Sequence, residues 1–303
     1  MVMITFLFLW LFSLATPLVL VVLFFLGQST AALVIFCAAV TCYLPLLPKS
    51  VCLRQWFRNG SEAYYRNCSL TYEEPFVCSN GVNEGGSEDG VNKKVLCVHP
   101  HGIFCQGWGI LFTRPELTSL TFCFASSLYA SPFFGALSKI IGRPAPADKA
   151  TFQGLMQQGR SIALIPGGFQ EATIHSSTAH RVTCGKGFIK YAIQHGYSLV
   201  PAYSFGENKT YNNFQGFWSP RLWLNKFGIP SVLPFGAWYM PVLPKNGGGL
   251  HIVVGKALQL PQTDLPTTSQ VDEYYKKYVA ALTQLFERHK AAYGEPKAVL
   301  EVW

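Results

Sequence analysis

Val95-Leu96-Cys97-Val98-His99-Pro100-His101-Gly102 is the stretch that decides the fold. A short apolar run stops at a His-Pro step, too brief for a helix, and reads as a buried strand over Val95–His99. Working outward, Leu120–Ala125, Ser161–Pro166, Ser198–Ser204 and His251–Val254 read as further strands, with helical stretches between them. Phe188–His195 reads as a helix that ends at Gly196. Strand–helix alternation predicts an α/β sheet with flanking helices. The clearest helix is Val271–Tyr293, with Ser269 as expected cap, Asp272 three residues on and Gly294 as its stop. Val271, Tyr274, Tyr275, Tyr278, Leu282, Leu285 and Phe286 make its apolar face.

The other end of the chain obeys different rules. No Asp, Glu, Lys or Arg occurs before Lys49. Val2–Leu26 is apolar over 25 residues, above the roughly 20 that span a bilayer, and Ala31–Leu47 adds a shorter apolar segment after the turn Gly27-Gln28-Ser29-Thr30. The expected shape is a transmembrane helical hairpin over residues 1–48. Lys49, Arg54, Arg58 and Arg66 follow it, with Glu62 the one acidic residue among them, which puts that flank and the N-terminus in the cytosol. A cleaved signal peptide fits less well, because the apolar run is too long and no basic residue precedes it. Residues 49–94 read as an interfacial segment, rich in aromatics and cations from 51 to 78, followed by a polar, Gly-rich loop over Ser79–Lys94. Residues 95–303 are expected to form the third part of the chain, a single α/β domain. The sequons at Asn59, Asn67 and Asn208 are expected to stay bare under this topology.

Only 13% of the 303 residues are charged and half are hydrophobic, a balance that excludes intrinsic disorder and argues against an ordinary soluble enzyme. The net charge of +8 suits an anionic membrane or a phosphate-bearing ligand. The cations are scattered and no nucleic-acid-binding signature accompanies them. Nine cysteines without a Cys-x-x-Cys pair make neither a disulfide framework nor a zinc site. Phe214–Tyr239 carries eight aromatics and suits a membrane interface or lipid pocket, with a plain aromatic core as the competing reading.

Three motifs carry chemistry. His99-Pro100-His101-Gly102 leaves a strand, and imidazole is the natural base near neutral pH. Pro166-Gly167-Gly168-Phe169-Gln170-Glu171 also leaves a strand; its glycines allow close backbone approach and Glu171 is a carboxylate in charge-poor surroundings. Glu171 and Glu207 could both share the sheet's carboxyl edge with the histidines, where α/β sheets build their sites. Gly185-Lys186-Gly187-Phe188 precedes a helix and suits phosphate, with Arg143, Lys149, Arg160 and Arg181 as further cations. No Gly-x-Ser-x-Gly elbow, dinucleotide fingerprint or Walker loop occurs.

Together with Leu199-Val200-Pro201, Ser204-Phe205-Gly206-Glu207-Asn208 and Leu285-Phe286-Glu287-Arg288-His289-Lys290, these motifs resemble the type-2 diacylglycerol acyltransferase family, which includes monoacylglycerol and wax alcohol acyltransferases. The resemblance covers nearly the whole chain; Phe6-Leu7-Phe8-Leu9 also fits the family's neutral-lipid motif. Members usually carry Arg where this chain has Gly185, so the cationic cluster is reduced here. The resemblance implies the mixed sheet of the wider glycerolipid acyltransferases and a multi-pass enzyme of the endoplasmic-reticulum membrane beside lipid droplets. Those acyltransferases pair a His with an Asp five residues on; here the fifth residues on are Phe104 and Gln106, so the partner must come from elsewhere.

The resulting expectation is an acyl-CoA:diacylglycerol O-acyltransferase, with acyl-CoA as co-substrate and no metal or other cofactor. His101, oriented by Glu171, takes the acceptor's proton, with His99 as the alternative base. Backbone N–H groups at Gly102, Gly167 or Gly168 stabilise the oxyanion. Lys186, Arg160 and Arg143 meet the CoA phosphates. Monoacylglycerol or a long-chain alcohol as acceptor, a non-catalytic hairpin protein of lipid droplets, and a homo-oligomer all stay open at this level.

Overall fold

The computed structural model describes residues 1–44, 47–76 and 93–303. In chain order the elements are α1 (Val2–Phe25), α2 (Ser29–Thr41), α3 (Val51–Tyr65), β1 (Cys68–Tyr72), β2 (Lys94–His99), α4 (Gln106–Thr113), β3 (Thr121–Phe124), α5 (Ser126–Tyr129) and α6 (Pro132–Ile141). There follow β4 (Pro144–Pro146), α7 (Lys149–Gln157), β5 (Ile162–Leu164), α8 (Gly168–Ile174), β6 (His180–Val182), α9 (Gly187–His195) and β7 (Ser198–Phe205). The chain closes with β8 (Asn212–Asn213), α10 (Trp218–Asn225), β9 (Pro234–Phe235), β10 (Leu250–Val254), α11 (Thr268–His289) and β11 (Leu300–Val302).

Seven strands form the central sheet in the order β1-β10-β7-β2-β5-β3-β4. β7, β2, β5, β3 and β4 run parallel, while β10 is antiparallel to β7 and β1 is parallel to β10, so the sheet is mixed as expected. All five expected strands are present. The alternation of strand side chains divides the core. Leu96 and Val98 of β2 face a cluster built with Phe57, Trp108, Leu111 and Phe134, on the side of α3, α4 and α6. Val95 and Cys97 face a cluster with Phe152, Ile189, Ile193 and Tyr278, on the side of α7, α9 and α11. His99 has the parity of Val95 and Cys97, which aims its ring toward α11.

Three expectations need correction. Residues 49–94 are not a separate segment. Ser50 caps α3 by accepting from the Leu53 N–H at 3.1 Å, Phe57 and Tyr65 enter the core, β1 is the sheet's edge strand, and Lys94 already opens β2. The part of the Gly-rich loop from residue 79 to 92 lies outside the described residues. The cap of α11 is Thr267, not Ser269: its hydroxyl accepts from the Gln270 N–H while Gln270 Oε1 accepts from the Thr267 N–H, a reciprocal box. The helix stops at His289, and Gly294, at φ +79°, closes the turn that follows.

The two-span hairpin is not confirmed. α1 is long enough to cross a bilayer at about 36 Å, but the 13 residues of α2 give only about 20 Å. Among the described residues α1 is the one helix that is long and apolar enough to span. α2 packs against it beyond a turn at Gly27.

Candidate active site

β2 delivers the site. Its last residue, His99, is fully buried and lies opposite Tyr203 of β7. The His99–Pro100 peptide is cis, and the chain then turns through Gly102, at φ +64°, into α4. β5 delivers Glu171 on the first turn of α8, one strand away.

The Glu171 carboxylate is enclosed and fully engaged. Oε1 accepts from His99 Nδ1–H at 2.5 Å and from the Thr183 N–H at 3.0 Å; Oε2 accepts from the His101 backbone N–H at 2.7 Å. The other nitrogen of His99 accepts from the Tyr278 hydroxyl at 2.9 Å. Both ring nitrogens of His99 are therefore committed, and no surface is left for a substrate. This corrects the expected pairing: Glu171 orients the ring of His99 and only the backbone of His101.

His101 is held differently. Its half-buried ring has Nδ1 2.9 Å from the carbonyl oxygen of Gly102. A carbonyl only accepts, so the proton sits on Nδ1 and Nε2 presents a lone pair. Burial lowers the pKa of the ring, against opposing contributions from the Gly102 carbonyl and the Glu171 charge. Cys105 Sγ lies 3.4 Å from both ring nitrogens. Burial holds that thiol far above its ordinary range, with the Glu207 and Glu171 charges adding to the effect, so it stays protonated.

Glu207 has another role than orienting a histidine. Its buried carboxylate accepts from the N–H groups of Gln106 at 2.9 Å and Gly107 at 2.7 Å, the opening residues of α4. Cys105, at φ +47°, precedes α4 and offers it no side-chain cap, so Glu207 supplies one from across the site. Burial outweighs these two donors and pushes the carboxyl up to about 7.

The glycines serve the two carboxylates. A Cβ on Gly102 would strike the Glu207 side chain, and one on Gly167 would strike Glu171 and the Thr183 carbonyl. The Gly168 N–H donates to the Ile165 carbonyl at 3.2 Å and is not free for an oxyanion, which leaves Gly102 and Gly167 as candidates.

The cations separate. Lys186 sits at the start of α9, three residues beyond Thr183, and so at the site's edge of the sheet; its exposed ammonium meets Asp272 Oδ1 at 2.6 Å. Arg143 and Arg160 precede β4 and β5 and fall on the opposite, amino edge. Through the strand register they lie level with Val95 and Lys93, about 13 and 20 Å along β2 from His99. Neither joins the expected cluster.

Beside Cys105 and Gln106 opens an apolar cavity, walled by Met3, Phe6 and Trp10 of α1, Tyr65 of α3, Trp108 of α4 and Phe134 of α6. Sequence reasoning missed Tyr278 and Cys105 as site residues. Tyr278 looked like any apolar position on a helix face, and nothing local marks it. Among the described residues no cluster of three His, Cys, Asp or Glu side chains is placed to hold a metal.

A family model for diacylglycerol acyltransferases matches residues 89–302. Among curated proteins, human diacylglycerol O-acyltransferase 2-like protein 6 is 31% identical over 236 residues, covering 67% of this chain and 68% of that protein. Human 2-acylglycerol O-acyltransferase 3 is 30% identical over 230 residues, covering 67% and 66%. Bovine diacylglycerol O-acyltransferase 2 is 30% identical over 236 residues, covering 67% and 63%. Of solved structures, the 1-acyl-sn-glycerophosphate acyltransferase PlsC from Thermotoga maritima superposes with a TM-score of 0.41 at 11% identity, over 78% of this chain and 80% of that one. On the strength of the family model and these relatives, the chain belongs to the diacylglycerol acyltransferase family and is an acyltransferase.

Proposed function

We propose that the chain is a membrane-bound acyl-CoA:diacylglycerol O-acyltransferase in which His101 is the base. The observation that carries this reading is the commitment of Nδ1 to the Gly102 carbonyl, which leaves the Nε2 lone pair with only the weak Cys105 thiol in reach among the described residues, and Cys105 in turn lines the apolar cavity. The acceptor hydroxyl gives its proton to Nε2 as its oxygen attacks the thioester carbon. The tetrahedral intermediate collapses, the carbon–sulfur bond breaks, and the imidazolium protonates the departing CoA thiolate. A base held neutral by burial is ready for this at cellular pH. Because the Cys105 thiol stays protonated, direct transfer is favoured over an acyl-cysteine intermediate.

α1 contributes three residues to the cavity wall, so a hydrophobic acceptor can reach the site from the bilayer that α1 enters. The family resemblance, rather than the cavity, is what suggests an endoplasmic-reticulum membrane location, with lipid droplets as the sink for the product. The His99–Glu171–Tyr278 assembly is the scaffold that fixes the turn, and Lys186 is the cation available to acyl-CoA.

The test is acyl transfer from labelled acyl-CoA to diacylglycerol, monoacylglycerol and a long-chain alcohol in microsomes bearing wild type or His101→Ala. The reading expects product from diacylglycerol that depends on His101. Preference for another acceptor would reassign the substrate, and a chain inactive on all three would be a droplet-coat protein.

A further inference from the structure

The exposed aromatics of residues 214–243 have no partner in the sheet. Trp238 is 92% exposed and Phe217 73%, and Trp223, Phe227, Phe235 and Tyr239 are exposed as well. Such a display is far from what solvent tolerates on a folded surface without a use. It is not a frayed segment. The Arg221 guanidinium, itself buried, donates to the carbonyls of Phe214, Gly216, Ser231 and Thr173, which fixes the loop to α8 and holds its aromatics outward.

Composition and position name the occupant. Residues 214–243 contain no Asp or Glu, and their charges are Arg221 and Lys226. Ala237 and Leu243 pack with Met3 and Leu7 in one buried cluster, so the segment is seated on the first turns of α1. From that point an exposed apolar stripe runs up α1 through Ile4, Phe8, Leu11, Leu14, Leu18 and Phe25. The stripe is about 30 Å long, the thickness of a bilayer's hydrocarbon core. The aromatic segment thus lies at the end where α1 enters the lipid, the depth at which Trp and Tyr concentrate.

We propose that the aromatic face of residues 214–243 is a second membrane contact, embedded in the interface of the leaflet that α1 enters and lying flat beside the entrance to the apolar cavity. This rests on α1 being the membrane span, as in the proposed function. It adds that the catalytic domain is itself sunk into the leaflet rather than tethered above it. Lys226 then faces the headgroups, where a cation is attracted to anionic lipid.

The experiment uses the full chain reconstituted into phosphatidylcholine–phosphatidylserine vesicles. Subtracting the emission of Trp238→Phe from that of wild type isolates Trp238; Trp223→Phe does the same for α10. Flotation of the chain with the vesicles reports on α1 separately. The expected result is loss of most Trp238 emission in vesicles brominated near the headgroup end of the acyl chain, less loss with bromine near the chain terminus, and little response to aqueous iodide. Quenching by iodide with none by brominated lipid in a chain that floats would put the segment in water and overturn the proposal while leaving α1 in place. Quenching by neither would mean that a second copy of the chain covers the face, which also overturns it. A chain that fails to float loses both readings together.

Discussion

Two histidines stand two residues apart, and the fold treats them as opposites. His99 ends a strand, inherits the strand's inward parity, and is closed on both nitrogens by Glu171 and Tyr278. His101 lies past the cis peptide and the strand's end, keeps one nitrogen for its neighbour's carbonyl, and leaves the other against the weak thiol of Cys105. The difference teaches that residue type does not assign the role here. The role follows from which side of the strand terminus a residue falls on, and from how many of its polar atoms the fold has already used.

Substitution at the two histidines is the hardest test of that contrast. His101→Ala is expected to leave a folded membrane protein that has lost at least about 10²-fold in kcat/KM, the lower end of general-base contributions. His99→Ala should instead leave the buried Glu171 one donor short and the Tyr278 hydroxyl without its imidazole acceptor, at about 1–3 kcal/mol for each group, and deplete folded protein before any rate is measured. Thermal melts in detergent beside microsomal rates separate the two. A stable, inactive His99→Ala with an active His101→Ala would reverse the assignment.

Glu171→Gln probes the scaffold that divides them. The carboxylate accepts three hydrogen bonds, from His99, Thr183 and His101. An amide must turn its NH2 group toward at least one of those donors, leaving buried groups unpaired at about 1–3 kcal/mol. The expected outcome is a roughly ten- to hundredfold loss of activity with a lower Tm, because both histidines move. Activity equal to wild type would show that the carboxylate does not set the turn.

How much of this was legible in the sequence follows from the range over which each signal acts. Five strands, the α9 stop at Gly196 and the His99, His101 and Glu171 set were readable, because short apolar runs and strand-end motifs are local. The partner assignment was not. Whether a carboxylate 70 residues away reaches His99 or His101 depends on the order β2-β5 and on the parity of β2, neither of which is local. Arg143 and Arg160 went astray for the same reason: a cation between a helix and a strand lies on the amino edge once the strands are parallel. β1 hid in an aromatic, basic segment that resembles an interfacial stretch. The sequon at Asn208 is buried in the fold while those at Asn59 and Asn67 are exposed, a distinction no sequon pattern contains.

The pH profile sharpens the comparison further. The base must be unprotonated, and burial lowers the pKa of His101. The acid limb of kcat/KM should therefore lie below the ordinary histidine value of about 6.5, with activity retained as pH falls to that point. An acid limb above it would point to another group. Glu207 gives the opposite sign in stability. Its folded pKa of about 7 stands above the ordinary 4.5, so between these values the folded state holds a proton that the unfolded state has released. Its contribution is full below 4.5 and is lost as pH rises through about 7. The Tm of wild type minus that of Glu207→Gln should fall from about pH 5 to about pH 8, and a flat difference would mean the carboxylate is ionised throughout.

The smallest expected effect is at Lys186, and it decides whether the site extends past the histidines to the donor's phosphates. The ammonium is exposed, and its pKa is raised chiefly by its hydrogen bond to Asp272. A phosphate would have to compete with that carboxylate in water, so Lys186→Ala should raise the KM for acyl-CoA by no more than about two- to fivefold and leave the acceptor's KM unchanged. That size alone cannot tell a ligand from a helix ornament, but the partner's mutation can. If Lys186 meets CoA, Asp272→Asn frees the cation and removes a nearby negative charge, so the KM for acyl-CoA should fall, and added salt should erase the gain by screening. If Lys186 only decorates the start of α9, Asp272→Asn leaves acyl-CoA kinetics where they were. Opposite shifts in the two single variants would draw the donor site around Lys186; two silent variants would confine the chemistry to the turn that separates His99 from His101.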